Sequence, residues 1–398
     1  MAHSKRRKHT MWGVLVAALS AMLLVGTSSA DAGVGNAVPP GRPVTVMTRN
    51  LYLGADLGPP LRAALAQPPG SFEQLVALAN GTHAARDIVD QTNFPVRARL
   101  LAREIVATRP DLVALQEVAL WRHGPLQLDQ IAVANATTVD IDFLQILMDQ
   151  LAAQGASYAV LRVQQEADVE APSFVGLNPF SPAADASDIR LTMRDAILMK
   201  VDPGLTMLGS GGANYATRFS AGAGPVSYTF LRGYVWADVR AGAKTLRFID
   251  THLEAEFSIF ALGQANELLA GPAVTDKTVI IACDCNSDPL NNTGKPPFDL
   301  TPHSAPYNFI VGHGFTDQWL EFASAEEGWT SGLSELVNDP TADGFDHRID
   351  MIFARTASGQ VAGVDRGQVT GDEVSDKDPA TGLWPSDHAG VVLRLRGW

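Results

Sequence analysis

Six apolar runs in this chain end in side chains able to hold a metal ion or a phosphate. "VTVMTRN" (44–50) ends at Asn50, "DLVALQEV" (111–118) carries Glu117, and "TLRFIDTHLE" (245–254) reaches His252. "VIIACDCNSDP" (279–289) presents Asp284 and Asn286, and "HRIDMIFAR" (347–355) sets Asp350 among apolar neighbours. "WPSDHAGVVLRLR" (384–396) places Asp387 and His388 just before its apolar stretch. Singly, each has a plain structural reading: a solvated strand end, a core histidine, a salt-bridge partner, or a turn at "NSDP". Together they are carboxylates, amides and imidazoles delivered to strand ends, which is how sheet enzymes assemble a site.

The elements that must position them can be read from the same runs. "KTVIIACDCN" reads as a buried strand from Thr278 to Cys285, with Cys283 and Cys285 on one face and Asp284 and Asn286 on the other. These are the only two cysteines of the chain. A structural zinc site wants a second ligand pair, which C-x-C lacks. A disulfide is disfavoured because residues i and i+2 of a strand lie roughly 6.5–7 Å apart, at or beyond the bridging limit. The expectation is two unbonded thiols buried as small core groups. "FPVRARLLAREIVATRP" (94–110) is an amphipathic helix with Val96, Leu100, Leu101 and Ile105 on one face, ending before Pro110. A further helix is expected from Ile141 to Gln154.

The ordered set of Asn50, "LQEV", "THLE", "DCN", "RIDMIF" and "SDH" resembles the endonuclease/exonuclease/phosphatase superfamily over nearly all of residues 44–397. That superfamily includes deoxyribonucleases, AP endonucleases, neutral sphingomyelinases and inositol-polyphosphate 5-phosphatases. "MRDAILMK" (193–200) resembles a family strand in which Asp195 stands at an acidic position, and "GQANELL" (263–269) resembles the helix after the His252 strand. One departure is Cys283-Asp284-Cys285-Asn286 where the family usually has Gly-Asp-Phe-Asn, which keeps the two polar residues. The resemblance implies an α/β four-layer sandwich, two packed mixed β-sheets flanked by helices. It implies Mg²⁺ or Mn²⁺ held by Glu117, with Asp387 a second ligand and Asn50 close to the metal or phosphate. His388 would activate water while held by Asp350; whether His388 or Asp284 takes the proton stays open. Asn286 and His252 would steady the phosphoryl oxygens. The alternative function is a catalytically inactive binding module on the same scaffold.

The chain opens with "MAHSKRRKHT", then the uncharged "MWGVLVAALSAMLLVG" and small residues at Ser28 and Ala30, which read as a cleaved signal peptide (1–30) and a secreted protein. Residues 31–43 read as a flexible leader and 44–398 as one catalytic domain. Losing residues 1–30 removes four Lys/Arg and no acid, leaving 26 Lys+Arg against 43 Asp+Glu and a formal charge of −17. Such a surface argues against broad binding to polyanions. The expected partner is a phosphate-ester substrate, phospholipid or nucleic acid, and the expected state a monomer without a stable protein partner. Three inserts, 54–93, 120–140 and 164–189, are expected at the rim of the site, where loops set substrate choice.

Overall fold

The structure, a computed structural model, describes residues 42–398 apart from 132 and 224–225. The expected signal peptide and nearly all of the expected leader lie outside the described residues. In chain order the elements are β1 (Val44–Asn50), α1 (Gly58–Leu65), α2 (Phe72–Gln91), α3 (Phe94–Thr108), β2 (Leu112–Gln116), β3 (Leu120–Pro125) and β4 (Thr138–Asp142). Then follow α4 (Phe143–Ala153), β5 (Tyr158–Ser173), β6 (Ser187–Lys200), β7 (Leu205–Asn214), β8 (Phe219–Ala223), β9 (Val226–Phe230), β10 (Gly233–Ala241) and β11 (Lys244–His252). The last are α5 (Ser258–Ala270), β12 (Thr278–Asp284), α6 (Ala305–Gly312), β13 (Thr316–Asp317), α7 (Gln318–Ala323), β14 (Asp350–Arg355), β15 (Gly363–Thr370) and β16 (Gly390–Arg396).

Two mixed sheets pack face to face. One runs β15-β16-β1-β2-β6-β3-β4, with β5 also paired to β6; the other runs β13-β14-β12-β11-β10-β7. Between them Val46, Leu112, Ile197 and Leu393 of the first sheet meet Ala237, Phe248, Ile280 and Ile352 of the second. The outer face of the first sheet is covered by α3 and α4 through Leu101, Ile105, Phe143 and Leu147. The outer face of the second is covered by α5 and α6 through Ala265, Leu268 and Ile310. This is the expected four-layer arrangement. It explains why β2 and β12 are apolar without alternation: every residue of both strands is buried because both faces are covered.

The helix at 94–110 forms as expected but stops at Thr108, where Arg109 turns to φ +52 ahead of Pro110. The helix expected at 141–154 is α4, whose N-terminal amides at Leu144 and Gln145 bond to the Asp142 carboxylate. The insert at 54–93 is mostly helical, carrying α1 and α2.

The thiol expectation is corrected. Cys283 and Cys285 are joined by a disulfide, with Cα atoms 5.1 Å apart. The strand spacing that argued against bridging does not apply, because β12 ends at Asp284 and Asn286 turns to φ +42. Cys285 keeps one in-register bond to β14, its amide donating to the Ile349 carbonyl at 2.8 Å, and the chain then turns away at Asn286. Both residues are fully buried against the α5–α6 side, as core groups should be. Replacing both by Ala should lower stability by roughly 2–4 kcal/mol, through a small loop-closure effect and two small cavities. Denaturant unfolding measures this; a loss below 1 kcal/mol, or two free thiols in the unreduced protein by mass, would contradict the bridge.

Candidate active site

The site is built from two rows of strand ends. In the second sheet, strand register places His252 of β11 opposite Asp284 of β12, and Asp284 opposite Asp350 of β14. In the first sheet Asn50 of β1 stands opposite Gln116 of β2, so Glu117 emerges one residue later. Asp387 and His388 arrive on the segment leading into β16. Two bonds tie the rows together across the sandwich. Asn50 donates through Nδ2 to the Asp284 carboxylate at 2.9 Å, and His388 Nδ1 lies 2.8 Å from Asp350 Oδ2. One layer deeper, Thr48 donates to Gln116 Oε1 and Gln116 Nε2 donates to Asp250, a third polar rung between the sheets.

The backbone is bent where these residues emerge. Tyr52, Glu117 and Asn286 have φ of +58, +55 and +42, a region that non-glycine residues seldom adopt. Such strain persists only where the surroundings enforce it, and here it gathers at the ends of β1, β2 and β12. At Tyr52 the enforcing group is Arg97, fully buried on α3. It donates to the carbonyls of Leu51 (2.6 Å), Tyr52 (2.9 Å), Thr92 (2.8 Å) and Pro385 (3.2 Å). That grips the chain just after Asn50 and just before Asp387. Arg49, paired with Glu104 at 3.0 Å, likewise donates to the His388 carbonyl. Arg97→Met should cost on the order of 3–5 kcal/mol, since it strands several buried carbonyls, and should weaken metal affinity along with it. An unfolding curve matching wild type would show that Arg97 does not hold these segments.

Beside the two rows lies a pocket of about 590 Å³ lined by Glu117, Asp387, Glu254 and Arg232 among others. The Glu117 carboxylate accepts from the Leu53 amide at 2.7 Å, and Asp387 accepts from the Ser386 hydroxyl at 3.3 Å. Burial, and then repulsion from Glu117, push the Asp387 carboxyl up to about 6 against the pull of His388 and Arg97. Glu254 is buried with one oxygen bonded to the amides of Ala255 and Glu256 and the other without a partner. Glu117 and Asp387 offer carboxylate oxygens of the kind a hard divalent cation takes, and such a cation needs few ligands from the protein. Glu254 adds an orphaned oxygen to the same lining, while the ligand atoms of Asp284, Asp350 and His388 lie within 4.8 Å of one another.

A solved endonuclease/exonuclease/phosphatase family protein from Leptotrichia buccalis matches over 88% of this chain and 99% of its own, at TM-score 0.50 and 14% identity. The chain has the endonuclease/exonuclease/phosphatase fold. Humanized D. rerio TDP2 matches over 89% of this chain and 98% of its own, at TM-score 0.48 and 17% identity. A mannosyl-6-phosphatase from Bacteroides thetaiotaomicron matches over 88% and 99%, at 0.48 and 15%. No family model matches the chain, and no curated protein matches it in sequence.

On this fold the structure brings His388, Asp350, Asp284, Asn286, His252 and Asn50 into one cluster and sets Glu117 and Asp387 on the adjoining pocket. It also uses some of them differently from the sequence reading. Asn50 spends Nδ2 on Asp284 and accepts the Tyr52 amide on Oδ1 at 2.8 Å, so it holds Asp284 rather than facing the pocket. Asn286 donates through Nδ2 to the Leu253 carbonyl, and its amide donates to Asp284 at 3.0 Å. His252 is held well below the usual imidazole range by burial and then by Arg232. It is a neutral hydrogen-bonding group, and the positive charge at this place belongs to Arg232.

Arg232 was not singled out in the sequence, nor were Glu254 and Glu166. Arg232 contacts the His252 ring at 2.8 Å and lines the pocket. Asp195 on β6 is fully buried and close to Glu166 and His252, all three offering ligand atoms within 4.8 Å of one another. A bulge in β5 between Gln165 and Asp168 turns Glu166 inward. Burial, and then the Glu166 charge, raise the Asp195 carboxyl well above its usual range. Arg232 lies in a loop between two strands and Glu166 in a bulge, so neither carried a periodic signal.

Proposed function

We propose that this protein is a secreted, divalent-metal-dependent phosphoesterase that hydrolyses a phosphodiester or phosphomonoester of a phospholipid or nucleic acid. The observation that supports it most is the buried His388–Asp350 bond at 2.8 Å, set beside a pocket carrying Glu117 and Asp387. Glu117 and Asp387 would hold Mg²⁺ or Mn²⁺. When bound, such a cation neutralises charge on the phosphoryl oxygens. Asp350 fixes the His388 ring through Nδ1, which leaves Nε2 to take a proton from water. Asp284, held by Asn50 and by the Asn286 amide, orients that water. Arg232 supplies the positive charge that meets the phosphoryl group as charge builds on it, with His252 offering a neutral hydrogen bond.

The test assays the protein starting near Asp31 on bis-p-nitrophenyl phosphate, sphingomyelin and plasmid DNA, each with Mg²⁺, Mn²⁺ or EDTA. Turnover that EDTA abolishes and metal restores supports the reading. No turnover of any ester with either metal would leave the inactive binding module. Secretion is checked separately: the exported protein should begin near Asp31, and an intact N-terminus on a cell-bound protein would overturn it.

A further inference from the structure

The pocket beside Glu117 has two chemically different walls. Besides its carboxylates, the lining carries Leu57 at the start of α1, Leu61 and Leu65 of α1, Val169 of β5, and Phe219 and Phe230 of the β8–β9 pair. Off this wall opens an apolar recess of about 90 Å³ that shares Leu57, Leu61, Val169, Leu191 and Phe230 with the pocket. Trp121, Ile189 and Thr82 are among its other lining residues. Its polar side-chain atoms are already used: Trp121 Nε1 donates to the Leu53 carbonyl and the Thr82 hydroxyl donates to the Leu78 carbonyl. A nucleobase placed there would leave its polar edges unpaired, a loss that an alkyl chain does not meet. The pocket lining as a whole carries Asp56, Glu117, Glu254, Glu256, Glu335 and Asp387 against only Arg62 and Arg232. That balance repels a polyphosphate backbone and tolerates a single phosphate at a metal.

A third observation points the same way. The segment Ala255–Phe257, which lines the pocket, continues into the exposed Ile259, whose amide is bonded to Asp299 at 3.0 Å. Asp299 is flanked by Phe298 and Leu300, which are 82% and 78% exposed. Bare apolar side chains joined in this way to a pocket-lining segment suit a surface that meets another apolar phase. We propose that the ester is a lipid: a single phosphate ester whose aliphatic chain enters the apolar recess while its phosphate lies at the Glu117 end. This rests on the phosphoesterase reading above.

The test uses p-nitrophenyl phosphodiesters with methyl, butyl and octyl second groups, all below their aggregation limit, with Mg²⁺. Wild type should show kcat/KM rising about three- to fourfold for each methylene that enters the recess, then levelling off. In Val169→Asn, and separately in Leu61→Gln on the half-exposed face of α1, the octyl-to-methyl ratio should collapse toward one. Because a ratio is read, misfolding that lowers both esters alike is told apart from loss of the recess. A flat series in wild type, or an unchanged ratio in both variants, overturns the lipid assignment. So does plasmid DNA that is cleaved better than the octyl ester and equally well by Val169→Asn. Failure of the phosphoesterase reading looks different: the methyl ester is then not turned over with any metal.

Discussion

His388→Ala is expected to lower turnover by roughly 10²–10⁴-fold, the range for a positioned acid–base group. Adding Asp350→Asn to it should cost little more, since a partner with no ring to hold contributes nothing. The pH profile carries the sharper signature. Burial alone would depress the His388 imidazole, but Asp350, then Asp387 and Asp284, outweigh it and hold it well above the ordinary histidine range. A base works deprotonated, so activity should climb with pH through a limb lying above the usual value of about 6.5. In Asp350→Asn one of the carboxylates holding the proton is gone, so that limb should move to lower pH as its height falls. The rival base is Asp284, which burial and then Asp350 push up to about 7 against the pull of His388. If Asp284 takes the proton, the limb survives in His388→Ala and moves to higher pH, because the cation that pulled it down has been removed. A limb that vanishes assigns the base to His388. One that persists and shifts upward assigns it to Asp284.

Much of this arrangement was legible in the sequence because it depends on strand ends. Apolar runs closing in Asn50, Glu117, His252 and Asp284 had to deliver those side chains to one edge once the strands paired in register. The four-layer fold followed from runs buried on both faces and from the amphipathic stripe of α3. What was not legible depends on departures from regular geometry. Cys285 could bridge to Cys283 because the chain departs from extended geometry at the end of β12, bringing their Cα atoms to 5.1 Å, a departure that no periodicity marks. Glu166 faces inward through a bulge, which shifts the alternation that a reader counts on. Arg97 sat in view on the buried face of α3, where a charge reads as a flaw in the pattern. Its partners are backbone carbonyls from Leu51, Tyr52, Thr92 and Pro385, and no sequence motif names a carbonyl. The β8–β9 pair that walls the pocket lies in a glycine-rich stretch with weak alternation, and so escaped notice as a rim element.

Glu117→Gln should remove several kcal/mol of transition-state stabilisation, on the order of 10³-fold in turnover, by deleting a ligand charge while keeping the side-chain volume. The carboxylate oxygen that accepts from the Leu53 amide has an amide oxygen as its replacement, so the strained turn at φ +55 keeps its bond and the fold should survive. Thermal unfolding without metal should therefore match wild type within a degree or two. Glu117 repels Asp387 across the pocket when no cation lies between them, so any difference without metal should favour the variant. The difference should appear on adding Mg²⁺ or Mn²⁺. A ligand that binds only the native state stabilises it by about 2.7 kcal/mol at a hundred times its dissociation constant, so wild type should gain several degrees. Glu117→Gln should gain little at the same concentration and recover only at much higher metal. Equal metal-induced shifts in the two proteins would remove Glu117 from the ligand set even if activity fell, and would leave Asp387 to account for the cation.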